Sequence, residues 1–392
     1  MKTTFRKLMA LAIVAAAFVG CSDDDNNNTP SSSFVVDANN FQGTIADGEV
    51  QLNAGTTYKL TGRLLIADGA SLTIPAGTRI EGIGGTAAYI AVAQGGKIFV
   101  NGTENNPVVM TSGLATPAAG NWGGLVICGK APINRVTGGQ STASAEVSEL
   151  TYGGTVANDN SGVIRYLRVE YAGAAYNQLK EFNGISFFGV GSGTVVEYVQ
   201  SMHGADDGFE FFGGTVNTKG LVAFGNEDDL FDWTEGWNGT NTDWYGKVAF
   251  GKGNRGIEAD NYEDGFANTP VSNPTITNLT LIGAGSTADA TAYAENDAIK
   301  LRRGTRGIFA NVVLSGWKNG FALEHDETIA AIGTTLKATN VSVASDVTNL
   351  TVGKTTAGTS ANVAAAVTEG ASQGAGNGIA APSWTANWTT GL

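Results

Sequence analysis

The chain has 392 residues, 55 of them glycine, and only 15% of it is charged. With 36 acids against 23 Lys and Arg, its net charge is −13, which leaves no surplus of cations for phosphates and excludes general nucleic-acid binding. Low charge, much glycine, and Val, Ile, Phe and Thr in place of long helix formers point to an all-β protein.

Lys2, Arg6 and Lys7 open the chain, and Leu8 to Phe18 is apolar but short of the ~20 residues that span a bilayer. Residues 1–20 read as a signal peptide. Phe18-Val19-Gly20-Cys21 resembles a bacterial lipobox, with Cys21 lipidated. The alternative is ordinary cleavage elsewhere, with Cys21 incidental. Loss of the three cations takes the net charge from −13 to −16. Residues 21–33, led by Ser22-Asp23-Asp24-Asp25, read as an acidic, solvated tether. Cys128 is then the only other thiol, a buried small hydrophobe rather than half of a disulfide.

Residues 34–50 read as an N-terminal cap. The body, 51–345, is a repeat. Ile185-Ser-Phe-Phe188, Phe209-Glu-Phe-Phe212, Phe231-Asp-Trp-Thr234, Ile257-Glu-Ala-Asp260, Ile299-Lys-Leu-Arg302 and Phe321-Ala-Leu-Glu324 alternate inward apolar with outward residues. Their starts are 24, 22, 26, 42 and 22 residues apart. The 42 is one coil with an insertion, or two coils. Gly/Asn/Asp turns separate these strands from others such as Val195-Val-Glu-Tyr-Val199 and Ile308-Phe-Ala-Asn-Val312. Such spacing predicts a right-handed parallel β-helix, in which positions one coil apart are neighbours about 4.8 Å away. Phe209, Phe231, Ile257, Ile299 and Phe321 should form one inward file. Residues 131–161 lack alternation and read as an excursion loop, and 346–392 as a C-terminal cap or tail that folds back.

Gly120-Asn-Trp-Gly-Gly-Leu125, Asp206-Asp-Gly-Phe-Glu-Phe-Phe-Gly-Gly214 and Asp228-Asp-Leu-Phe-Asp232 resemble a family of secreted and lipid-anchored right-handed β-helix proteins from Bacteroidetes. The resemblance implies fold and compartment, with no established activity. Ser22 to Asp25 also resembles the export signal of Bacteroidetes lipoproteins, which implies an outer-membrane position facing the cell exterior.

Two motifs fail on context. Gly251-Lys-Gly-Asn-Arg-Gly256 matches GxGxxG, but strand alternation follows it where a nucleotide site needs a helix. Gly370-Ala-Ser-Gln-Gly374 matches GxSxG, but both histidines, His203 and His325, precede it.

The acidic stretch carries the chemistry: residues 203–264 hold 13 acids and four cations. Asp206, Asp207, Glu210, Asp228, Asp229 and Asp232 are candidate calcium ligands, since carboxylates plus turn carbonyls suit a hard cation. A solvated face of turn-forming acids is the alternative. Glu258 should face Lys300, Asp260 should face Arg302, and Glu324 should meet Arg302, as cross-strand pairs. Trp237, Trp244 and Tyr245 around Asn238-Gly-Thr-Asn-Thr242 are candidate sugar-stacking residues, unless they pin a loop to the wall. The expected function is a non-catalytic glycan-binding or adhesion module at the surface. One alternative is a calcium-dependent polysaccharide lyase with Lys300 or Arg302 as base, or a glycoside hydrolase. A structural component that holds a partner protein is the other.

Overall fold

The computed structural model describes residues 31–136, 142–177, 180–288 and 296–392. The expected signal peptide, Cys21 and most of the tether lie outside the described residues. Its last residues are not loose. Asp47 accepts hydrogen bonds from the Ser33 N–H and hydroxyl, both at 2.8 Å, and from the Ser32 hydroxyl at 3.1 Å.

Short parallel strands form one 24-stranded sheet that winds round a single apolar core, a parallel β-helix. Each coil has three walls. The first runs through Glu49–Gln51, Ser71–Pro75 and Lys97–Asn101, and the second through Thr57–Ile66, Arg79–Gly82 and Val108–Ser112. Gly162–Glu170 continues both, Val163 pairing with Phe99 and Val169 with Met110. From there one bent strand per coil makes two walls, as in Val195–Met202, Thr275–Ile282 and Gly307–Ser315.

The bend needs one left-handed residue per coil. Tyr166, Tyr198, Gly220, Asp243, Asn278, Asn311 and Asn340 supply it, with φ between 49° and 68°. Asn, Asp and Gly enter this region at least cost. The side chains at this corner form a ladder. Asn278 donates to Asp243 at 2.8 Å, Asn311 to Asn278 at 3.1 Å and Asn340 to Asn311 at 3.2 Å.

The third wall positions the site. It stacks Gly85–Val92, Trp122–Cys128, Ile185–Phe188, Phe209–Phe212, Phe231–Thr234, Ile257–Asp260, Asp297–Arg302, Asn319–Glu324 and Asn349–Lys354. Phe209, Phe231, Ile257, Ile299 and Phe321 are successive ladder partners, each at most 1% exposed. This is the inward file that the repeat predicts. Ile257 pairs directly with Ile299, so the 42-residue interval is one coil with an insertion.

The ends differ from the expected caps. Phe41–Ile45 already pairs with Thr57–Ile66, so residues 34–50 include the first coil, with Phe34 packed edge-on against Phe41. At the other end Asn349–Lys354 and Val367–Glu369 continue two walls past residue 345. Their side chains are mostly polar and half-exposed, which hides the alternation. The tail from 370 runs back along the flank as far as Glu104, which accepts a hydrogen bond from Asn387 at 3.0 Å.

The excursion, 131–161, carries an antiparallel ribbon, Ala143–Ser144 with Thr151–Tyr152. It lies on the outer face of the third wall. There Ala143, Ala145, Val147 and Tyr152 bury Val126, Cys128, Phe188 and Phe212 in a second apolar cluster. Burial pushes the Cys128 thiol up to about 12, which leaves it an inert packing group.

Candidate functional site

The turn before each third-wall strand and the strand's first outward residue lie side by side. Asp206-Asp207 precede Phe209, Asp228-Asp229 precede Phe231, and Asn254-Arg255 precede Ile257. Glu210, Asp232 and Glu258 are ladder partners in one outward file. The two files converge into three linked triads: Asp206, Asp207 and Asp228; Asp207, Glu210 and Asp232; Asp229, Asp232 and Glu258. Within each triad carboxylate oxygens lie within 4.8 Å of one another. Each like-charged pair at that distance repels by about 3.5 kcal/mol at an effective dielectric of about 20.

Cations compensate one side of this cluster. Arg255 pairs with Asp229 at 3.3 Å and with Glu258. Arg302 also pairs with Glu258, and with Asp260 at 2.7 Å, and Arg303 reaches Asp260 at 2.6 Å. Asp206, Asp207, Glu210, Asp228 and Asp232 have no ion-pair partner among the described residues. Their hydrogen bonds are neutral ones: Glu210 accepts from Asn183 at 2.6 Å and Asp228 from Asn254 at 2.9 Å.

The acid–base behaviour follows. Burial, then the neighbouring Asp228, pushes the Asp206 carboxyl up to about 8. Burial also raises Asp207, Glu210 and Asp232 well above the carboxylate range, reinforced respectively by Asp206, Asp232 and Glu258. Asn183 is 2% exposed, and its Oδ1 is buried with no donor. Such a constellation either shares protons or takes a hard cation, and oxygen-only donors suit calcium.

The strand-borne carboxylates line a trough of about 250 Å³, with Arg302 and Arg303 on one side. The excursion adds Arg135 and Glu146 to the lining. Arg135 pairs with Glu235 at 3.3 Å, and the Tyr152 hydroxyl donates to Glu235 at 2.6 Å. Burial pushes the Glu146 carboxyl up to about 7. A larger hollow of about 340 Å³ lies further along the same wall but faces only one acid and one base, Glu324 and Lys354.

Sequence reasoning missed Glu146 and Arg135, because nothing in the chain says where the excursion lands, and with them Glu235, the residue after Phe231–Thr234 that the excursion meets. It also misplaced three residues. Trp237 and Trp244 are 0% exposed, and Tyr245 is 2% exposed beneath the C-terminal tail. Trp237 stacks on Phe211 at 4.1 Å and Trp244 on Phe231 at 4.5 Å. They are core and offer no ring to a sugar. The expected bases, Lys300 and Arg302, are both engaged in ion pairs. Glu258 does face Lys300, and Asp260 does face Arg302. Glu324, however, pairs with Lys300 at 3.4 Å rather than with Arg302. The Arg302 guanidinium, clasped by Asp260 and Glu258, is held above its already high range and cannot accept a proton.

The stacked parallel strands define the chain as a parallel β-helix with an acidic trough on its third wall. The chain matches the pectate-lyase-like beta helix domain over residues 43–389 and belongs to that family. No curated protein and no solved structure matches it.

Proposed function

We propose that the protein is a lipid-anchored surface β-helix that binds glycan through the acidic trough, with calcium held by Asp206, Asp207, Glu210, Asp228 and Asp232. One observation carries this reading: these carboxylates form two triads that share Asp207, and none of them has a direct ion-pair partner among the described residues. Asp229 belongs to the expected set, but Arg255 already takes its charge. A bound cation would remove the repulsion and offer open coordination positions to sugar hydroxyls or a uronate carboxylate. Membership of a pectate-lyase-like family supports a polysaccharide ligand. The ion-paired state of Lys300 and Arg302 favours binding over elimination. Anchoring at the outer membrane, facing outward, rests on the basic start, the apolar run, Cys21 and the acidic residues 22–25.

Metal analysis of the purified chain, with thermal unfolding in calcium and in chelator, tests the centre. Bound calcium raises the midpoint by mass action. Retention on polysaccharide affinity gels, lost in chelator, tests the ligand. No metal and an unmoved midpoint would remove the centre.

One observation favours glycoside hydrolysis as a second reading. Glu146, a carboxyl that burial raises to about 7, lines the trough with Glu210 and Asp232, so paired carboxyls share one groove, as glycoside hydrolysis requires. Release of reducing ends from polysaccharide, abolished in Glu146→Gln, would establish it.

A further inference from the structure

The outward file of the third wall changes character along the axis. In ladder order it reads Ala91, Val126, Ser186, Glu210, Asp232, Glu258, Lys300, Ala322, Val352. The parallel file reads Cys128, Phe188, Phe212, Thr234. Before Glu210 the outer face is covered. Val126, Cys128 and Phe188 lie under the excursion, with the Tyr152 ring 5.0 Å from Phe188 and Phe188 stacked at 4.1 Å on Phe212. Phe212 is the hinge of the geometry, since it belongs to that buried cluster and also lines the trough. The groove therefore begins at a wall.

The wall is tied down and polar on its trough side. Tyr152 and Arg135 both bind Glu235, and Lys180 donates to the Glu146 carbonyl at 3.1 Å. Arg135, Glu146, Tyr152 and Lys180 also line a recess of about 170 Å³ that shares Phe212 and Glu235 with the trough. Of its apolar side chains Phe212 keeps the most exposure, 7%, and Arg135, Glu146, Lys180 and Glu235 supply polar groups beside it, a composition suited to one sugar ring with its hydroxyls.

From this we infer that the trough receives the terminus of a glycan chain rather than an internal stretch, with the last sugar against the excursion. A polymer laid along the solenoid axis cannot continue past Phe212, because the second apolar cluster fills the space it would need. The inference rests on the glycan reading above and names which part of the polymer that site takes.

Stoichiometry by titration calorimetry in calcium tests it, with oligogalacturonides and a neutral galactan series of increasing length as probes. End recognition expects one protein per chain at every length, with affinity constant once the trough is filled. A ratio of protein to chain that climbs with length overturns the inference and leaves glycan binding intact. No heat with either series, in a protein that still binds calcium, overturns the glycan reading itself. Replacing residues 142–152 by a short Gly/Ser link should let the ratio climb. Should that variant not fold, the wild-type titration still decides.

Discussion

Asp207 and Asp229 occupy equivalent turns of adjacent coils, and Oδ1 of Asp207 accepts the Asp229 backbone N–H at 2.9 Å. Asp229 repeats the arrangement, accepting the Arg255 N–H at 2.7 Å. A carboxylate in this file thus holds turn to turn with one oxygen, which leaves the second oxygen of Asp207 for the cluster. The two roles can be separated by substitution.

Asp207→Asn keeps the acceptor and removes a charge common to two triads. In chelator its melting point should equal or exceed wild type, and the calcium-induced rise should vanish. Asp207→Ala also orphans the Asp229 N–H, which costs ~1–3 kcal/mol. Thermal unfolding of both variants with and without calcium checks this. An Asn variant that still gains the full calcium shift would place the cation elsewhere.

Stability of the metal-free chain should fall as pH rises. Asp206 is pushed up to about 8 and Asp207, Glu210 and Asp232 are raised with it, all chiefly by burial. Between the unfolded pKa of about 4 and these values, the folded chain holds protons that the unfolded chain has released. Folding is therefore favoured at low pH and penalised by up to about 1.4 kcal/mol per pH unit for each such group as pH climbs. Calcium favours the ionised carboxylates and should flatten the slope. Melting curves from about pH 5 to 8, in chelator and in calcium, measure the difference. A chelated protein that grows more stable across that range would contradict the burial of uncompensated acids.

The corner ladder makes a different prediction. Asn311 sits at φ 56°, donating to Asn278 and accepting from Asn340. Asn311→Ala loses both hydrogen bonds and leaves in the left-handed region a residue without the amide that lets Asn tolerate it, a cost of ~1–3 kcal/mol. Asn311→Gly loses the same bonds without the strain, so it should unfold later than the Ala variant. Denaturant melts of the pair read the strain alone. The reverse order would show that the left-handed strain is smaller than the extra unfolded-chain entropy of Gly.

The solenoid was legible because period-2 alternation and a spacing near 22 residues survive in Phe209, Phe231 and Ile257. The acid file was legible for the same reason. Trp237 was not, because the polar turn beside it reads as a surface loop. Residues 240–242 open the strand Thr240–Lys247 instead, and Trp237 is buried in the core with its indole N–H on the Val216 carbonyl at 3.2 Å. Glu146 had no signal at all, since a long excursion has no register. Trp237→Ala should therefore cost ~3–5 kcal/mol, as large core truncations do. Glycan affinity per folded molecule should not change. A selective loss of binding in a fully folded Trp237→Ala protein would restore this residue to the surface.

The C-terminal tail acts on particular coils. Trp388 is 0% exposed, set edge-on to the stacked rings of Tyr166 and Tyr198 at 5.9 and 6.1 Å. Two residues on, Thr390 exchanges hydrogen bonds of 2.8 and 3.0 Å with the fully buried side chain of Gln200. Trp388→Ala should cost ~3–5 kcal/mol, but in a repeat architecture that loss is felt by the nearest coils. Amide exchange should accelerate in Gly162–Glu170, Val195–Met202 and Asn217–Phe224 while Asp297–Arg302 and Asn319–Glu324 keep their protection. An equal acceleration along the whole axis would mean that the tail locks every coil into one cooperative unit.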